Sequence, residues 1–308
     1  MPKICYERKN FGPGALARIF QANEILNEYA AQGFDLTLRQ LYYQFVARGF
    51  IPNKDTEYKR LGELVNDARM AGLIDWDRIT DRTRNLRELN HWDSPSQILD
   101  DVAAQYRSPK WKSQPNYVEV WIEKDALVGV VQQAADAVDV PYFSCRGYTS
   151  QSEMWTAAMR LLEQVKAGKQ VTIIHLGDHD PSGIDMTRDI RDRLSGFIAH
   201  HYPSGVGRFV VDRIALTMDQ IRQYNPPPNP AKITDSRAAG YIAEYGDESW
   251  ELDALPPDAM STLIREAVVA LLDREAWDRA LESETAERES LGKLSRHWDE
   301  ASEFLESI

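Results

Sequence analysis

The chain has 308 residues, 43% of them hydrophobic and 27% charged, with a formal net charge of −12 and two cysteines. That length makes two domains the default, and the balance of apolar and charged residues excludes disordered, collagen-like and fibrous classes. Cys5 and Cys145 are too few for a disulfide framework or a four-ligand zinc site, no apolar run approaches the ~20 residues that cross a bilayer, and residues 1–10 lack the apolar core of a signal peptide. A cytoplasmic protein with no membrane partner is expected. Its acidity is uneven: residues 1–110 hold 16 basic and 15 acidic side chains, whereas residues 247–308 hold 6 and 17. Net charge therefore does not exclude a nucleic acid, since phosphate is bound by a local basic patch. Arg78, Arg82, Arg84 and Arg87 form such a patch in the nearly neutral first third. Pairing with Asp75, Asp77 and Asp81 is the bland alternative for these arginines.

In chain order, Leu16, Ile19, Phe20, Ile25, Leu26 and Tyr29 follow helical spacing up to Gly33, which predicts an amphipathic helix closed by a glycine. Thr37 with Gln40 has capping-box spacing, and Leu38, Leu41, Tyr42 and Phe45 give the apolar face of a second helix that stops at Gly49. A third helix is expected over residues 56–71, with Leu61, Leu64, Val65 and Ala68 inward and Gly72 as its terminator. Ile74, Trp76 and the arginine-rich stretch then read as a short hairpin. Three short helices and a basic hairpin have the layout of a winged helix.

From Tyr117 the period changes. Val118, Val120 and Ile122 alternate as in a strand that ends at Glu123, and residues 125–138 read as a helix. A short strand at 141–145, a helix at 151–166, a strand at 170–176 and a helix running to about residue 199 follow, with one more strand at 207–215. That alternation predicts a parallel sheet with helices on its faces. The proline run at 225–230 reads as a rigid connector or a crossing loop. In the tail, Leu291, Leu294, Trp298, Ala301 and Leu305 recur at steps of three and four, as in a helix packed on a partner helix or on the domain.

In an open parallel sheet, ligands gather beyond the carboxyl ends of the strands. Glu123 closes one predicted strand, and Asp178 and Asp180 follow another. Three hard oxygen donors without a histidine or cysteine cluster suit Mg²⁺, with Mn²⁺ as a substitute, and hence phosphodiester chemistry. Lys124 reads as a phosphate contact or as a charge that moderates the acidic cluster. An Asp-x-Asp before Pro-x-Gly also has a purely structural use, capping the helix that starts near Ser182. His175 and His179 lack ligand spacing and are expected to be core or supporting groups.

Four motifs then occur in a specific order: Glu123-Lys124-Asp125-Ala126, Arg146-Gly147-Tyr148, Gly177-Asp178-His179-Asp180-Pro181-Ser182-Gly183 and Trp250-Glu251-Leu252-Asp253-Ala254-Leu255. Together they resemble the Toprim domain of the topoisomerase VI A subunit, a family that includes the meiotic double-strand-break proteins. Leu38-Arg39-Gln40-Leu41-Tyr42-Tyr43 resembles the same family's winged-helix active-site motif, so the similarity covers residues 36–255, or 220 of the 308. The resemblance implies an α/β protein in three parts. These are a winged-helix DNA-binding domain over residues 1–110, a Toprim metal-binding domain with a Rossmann-like parallel sheet over 111–256, and an acidic helical tail over 257–308. It implies Tyr43 as the nucleophile, Arg39 as its partner and Glu123, Asp178 and Asp180 as the metal-binding carboxylates. Arg146 and the arginine patch are the expected DNA contacts.

Arg39 and Tyr43 stand at i and i+4, on one face of one helix. Tyr42 points about 100° away and reads as a core residue, a choice that rests largely on the family's register. The implied assembly is a homodimer on double-stranded DNA, in which the tyrosine of one protomer meets the metal site of the other. A separate ATPase B-type subunit is a partner that the short N-terminal stretch leaves open. Two other readings compete: a hydrolytic Toprim nuclease without a covalent intermediate, and a DNA-binding adaptor without catalysis.

Overall fold

Three glycines punctuate the N-terminal third, and each sits in the left-handed region that favours glycine: Gly33 at φ +85°, Gly49 at +71° and Gly72 at +73°. They follow helices α1 (Pro13–Ala31), α2 (Leu38–Ala47) and α3 (Asp55–Met70). The structure is a computed structural model and describes residues 3–80 and 89–307. Thr37 and Gln40 close the expected capping box at the start of α2. Leu41 and Phe45 are fully buried, whereas Leu16 and Phe20 of α1 are exposed. Of the expected hairpin, the described residues show a 3₁₀ turn at Trp76–Arg78 and one parallel bridge between Leu36 and Ile79. Arg82, Arg84 and Arg87 lie outside the described residues. Ser94 then caps α4 (Pro95–Gln105) through the Gln97 amide.

The sheet follows in the order β1 (Asn116–Ile122), α5 (Val128–Ala137), β2 (Tyr142–Ser144), α6 (Gln151–Lys166), β3 (Gln170–Leu176), α7 (Pro181–His201) and β4 (Phe209–Ala215). All pairings are parallel, in the spatial order β2-β1-β3-β4. Alternation splits the strand side chains between two cores. Val120, Ile122, Ile174 and Leu176 face Val130, Val131, Met260 and Ile264, whereas Trp121, Val171, Ile173 and Val211 face Leu161, Ile190 and Leu194. The first of these cores runs without a break into Ile25, Leu41, Phe45 and Val65 of the N-terminal helices. An α/β architecture with a covered parallel sheet is thus present.

After the sheet come α8 (Met218–Tyr224), β5 (Asn229–Pro230), α9 (Ala238–Tyr245) and β6 (Glu248–Ser249). The proline run leads from α8 into β5, which pairs antiparallel with β6. The chain ends in α10 (Pro257–Val269), α11 (Arg274–Arg296) and α12 (Trp298–Glu306). Helix α10 packs on α5, and α11 lies along α4. There the buried Lys110 ammonium meets Glu284 at 2.5 Å, and Trp111 stacks edge-on against Trp277. The apolar seam expected across 291–305 is not continuous, because the helix breaks at His297 and both Leu294 and Leu305 face solvent. Among the described residues no helix is long and apolar enough to cross a membrane.

Candidate active site

Strands β1 and β3 pair in register from Asn116 with Gln170 to Ile122 with Leu176, so Glu123 and Gly177 leave the sheet at the same level. This brings Glu123 and Asp178 together: the Asp178 amide donates to Glu123 Oε2 at 2.9 Å. Both side chains are buried, at 8% and 6% exposure. Burial, and then the charge of Asp178, push the Glu123 carboxyl up to about 7. Burial raises Asp178 as well, against the pull of Lys124. Asp178 Oδ1 accepts from the Leu252 amide at 2.8 Å, and its Oδ2 lies 3.0 Å from the Lys124 ammonium.

Asp180 also serves the helix that follows. It caps α7, with Oδ1 accepting from the Gly183 amide at 2.6 Å and from the Ser182 hydroxyl at 2.9 Å. The structural use that the sequence offered for this pair therefore holds for Asp180, while Asp178 faces the rim.

Two further carboxylates complete the rim. A bridge between His179 and Trp250 fastens residues 250–253 beside the Asp178 loop. Lys124 then contacts Glu251 at 3.0 Å and Asp253 at 2.5 Å. Arg39 of α2 pairs with the same two acids, with Glu251 through Nη2 and with Asp253 through Nε at 2.8 Å. Burial disfavours ionised Glu251, but Lys124 and Arg39 outweigh it and hold the carboxyl at about 2. In this arrangement Lys124 is the charge that moderates the acidic cluster.

Arg39, Glu123, Lys124, Asp178, Arg146 and Lys232 line one cleft of about 470 Å³. Arg146 stands exposed on its edge, in the left-handed region at φ +52°, and pairs with Asp125 at 3.1 Å. Arg78, at the end of its 3₁₀ turn, is not among the residues that line the cleft. Tyr43 sits behind Arg39, whose Nη2 donates to the phenolic oxygen at 3.5 Å. It is only 3% exposed, and burial and Glu251 raise the phenol above its ordinary value despite the guanidinium. Tyr42 is held elsewhere: its hydroxyl donates to Asn53 Oδ1 at 2.9 Å and accepts from the Lys54 amide at 2.8 Å, pinning the turn before α3.

His175 is fully buried, with Nδ1 2.9 Å from the Thr187 hydroxyl, and burial followed by Arg213 lowers its pKa to about 3. His179 lies among Tyr241, Tyr245 and Trp250. Neither imidazole joins the carboxylates.

Among the described residues no group of three or more His, Cys, Asp or Glu side chains forms a metal cage. Mg²⁺ does not require one, because it takes one or two carboxylates and keeps several waters. Glu123 and Asp178 fit that demand: they are hard oxygen donors, buried side by side, and each resists ionisation without a compensating cation. Glu251, Asp253 and Arg213 are the site-forming residues to which sequence reasoning gave no role. No family model, curated protein or solved structure matches the chain.

Proposed function

We propose that the chain is a Mg²⁺-dependent DNA-cleaving enzyme of the topoisomerase VI A type. In this reading residues 1–110 are the winged-helix domain and 111–256 the Toprim domain, and Tyr43 cuts by transesterification. The observation that supports this best is the meeting of Glu123 and Asp178 at the sheet edge. Arg39 and Tyr43 reach that rim within one chain, through Glu251 and Asp253, and not across a dimer as the resemblance implies. In the reaction the Tyr43 oxygen, having lost its proton to solvent, bonds to phosphorus as the bond to the 3′ oxygen breaks. That oxygen takes up a proton and leaves as a hydroxyl, and the 5′ phosphate stays on Tyr43. Glu123, Asp178 and Asp180 would hold Mg²⁺, whose charge would stabilise the oxygens of an in-line displacement. Arg39 supplies positive charge beside the phenol, and Arg146 supplies a cation to the DNA backbone. A homodimer on double-stranded DNA would make two cuts, and an ATPase B-type subunit would be a further partner.

Attack requires a conformation other than the one described, because Tyr43 is enclosed and Arg39 is engaged with two carboxylates. Helix α2 has to lift from residues 251–253 to admit a strand. The same enclosure favours a second reading, a hydrolytic Toprim nuclease in which water attacks and Tyr43 is a packing residue. Incubation with supercoiled plasmid and Mg²⁺ or Mn²⁺, resolved with and without protease digestion, separates them. Transesterification gives ends that carry protein until digested, and these vanish in Tyr43→Phe. Protein-free ends made equally by Tyr43→Phe would establish hydrolysis.

A further inference from the structure

The β3–β4 pairing runs Ile174 with Asp212, His175 with Arg213, and then Leu176 with Ala215, so Ile214 is an extra residue at the end of β4. Such bulges bend a strand and re-aim its side chains, and they are over-represented beside active sites. Before the bulge, alternation puts Arg213 on the same face as Phe209 and Val211, toward α7. Most of its guanidinium hydrogen bonds go to the backbone of a single loop, with the Thr187 hydroxyl and, at 3.4 Å, the Leu216 carbonyl as the other acceptors. Nη1 donates to the Gly183 carbonyl at 3.0 Å and the Thr187 hydroxyl at 2.9 Å, and Nη2 donates to the carbonyls of Gly177 at 3.0 Å and Asp178 at 2.6 Å. These carbonyls bracket the segment 177–183, which carries both aspartates.

The loop has no slack at either end. A Cβ on Gly177 would stand 2.9 Å from Glu123 Oε2 and 3.1 Å from Arg213 Nη1, and one on Gly183 would collide with the Asp178 carbonyl. Guanidinium and carboxylate thus face each other across a glycine. Yet among the described residues Arg213 forms no ion pair with a carboxylate, unlike Lys124 and Arg39. It adds positive charge beside the acidic rim without occupying a carboxylate oxygen.

We propose that Arg213 is the positioning residue of the site: its planar fork ties the two ends of the 177–183 loop so that Asp178 is held against Glu123, and this sets the affinity for a divalent cation. The proposal rests on the metal-binding reading above. The test is Mn²⁺ binding to the full chain, by electron paramagnetic resonance, for the wild type, Asp178→Asn, Arg213→Met, Arg213→Lys and Val211→Ala. Thermal melting without metal is recorded alongside.

The wild type is expected to bind and Asp178→Asn to lose binding. Arg213→Met should weaken binding about ten- to a hundred-fold, as removal of outer supports of metal ligands does. Arg213→Lys keeps the charge but not the fork, and should remain weakened. Val211→Ala, a packing change on the same strand face, should lower the melting temperature without changing affinity. Wild-type affinity in Arg213→Lys, or a loss in Val211→Ala equal to that in Arg213→Met, would overturn the proposal and leave the metal site standing. Absence of binding by the wild type would remove the metal reading itself, and this proposal with it.

Discussion

Replacing Glu123 by Gln tests the electrostatics of the rim without requiring any catalysis. In the folded chain the Glu123 carboxyl titrates at about 7 instead of 4.5, because burial and Asp178 both oppose its ionisation. Each tenfold change in proton affinity is about 1.4 kcal/mol, so at pH 8 the ionised side chain costs the fold on the order of 3 kcal/mol. Glutamine keeps an oxygen for the Asp178 amide and carries no charge, so most of that cost disappears. For a chain of this size the melting temperature at pH 8, in EDTA, should rise by about 5 °C. The sign of the pH dependence follows. Below the unfolded value of 4.5 the carboxyl is protonated in both states and the advantage of Glu123→Gln vanishes, and the wild type loses stability relative to it as pH rises through 7. Calorimetric melting of both proteins at pH 4, 6 and 8 measures this. A variant that melts at or below the wild type at pH 8, or a gap that does not shrink as pH falls, would refute the reasoning.

Gly183→Ala should displace the Asp178 carbonyl, cost about 1–3 kcal/mol as overpacking does, and lower the melting temperature at every pH. His175 shows the opposite pH behaviour to Glu123. It stays neutral in the fold down to about 3 and protonates near 6.5 when unfolded, so the wild type loses stability as pH falls from 6.5. At pH 5 that loss is about 2 kcal/mol relative to pH 7, and urea unfolding of His175→Gln should lack this component. Lys110→Met leaves the buried Glu284 with Arg288 and the Ser108 amide. Urea unfolding should therefore show a loss of about 2 kcal/mol, less than the ~3–5 of a buried charge left with no partner, and Glu284→Leu in the same chain should restore part of it.

The elements of this protein are legible where local chemistry alone decides them. Thr37 and Gln40 close their capping box because the four residues involved are neighbours, and the run 170–176 forms a covered strand because Val171 and Ile173 give it one apolar face and Ile174 and Leu176 the other. The level of Glu123 with Gly177 follows from two strands of equal length in one parallel ladder, so the meeting of Glu123 with Asp178 was within reach of pattern. Asp180 shows the limit of that reading. Both aspartates of the motif stand at a strand end, and only the start of α7 decides that one of them also caps a helix.

The rest of the rim depends on contacts that leave no trace in local pattern. Arg39 meets Glu251 and Asp253 across more than 200 residues of intervening chain, and no spacing rule links an arginine on a helix with acids on a distant turn. Arg213 is different, for the alternation that buries Phe209 and Val211 also turns an arginine inward, and a cation at an inward strand position has to find acceptors. Here it finds the carbonyls of the acidic loop. Of the three cations that hold the site together, Arg213 is the one the sequence shows least plainly. Lys124 and Arg39 neutralise the rim from the cleft side, while Arg213 fixes its backbone from behind. A ligand that competes for the carboxylates has to displace the first two and can leave the third in place, so loop geometry and rim charge are separable properties of this fold.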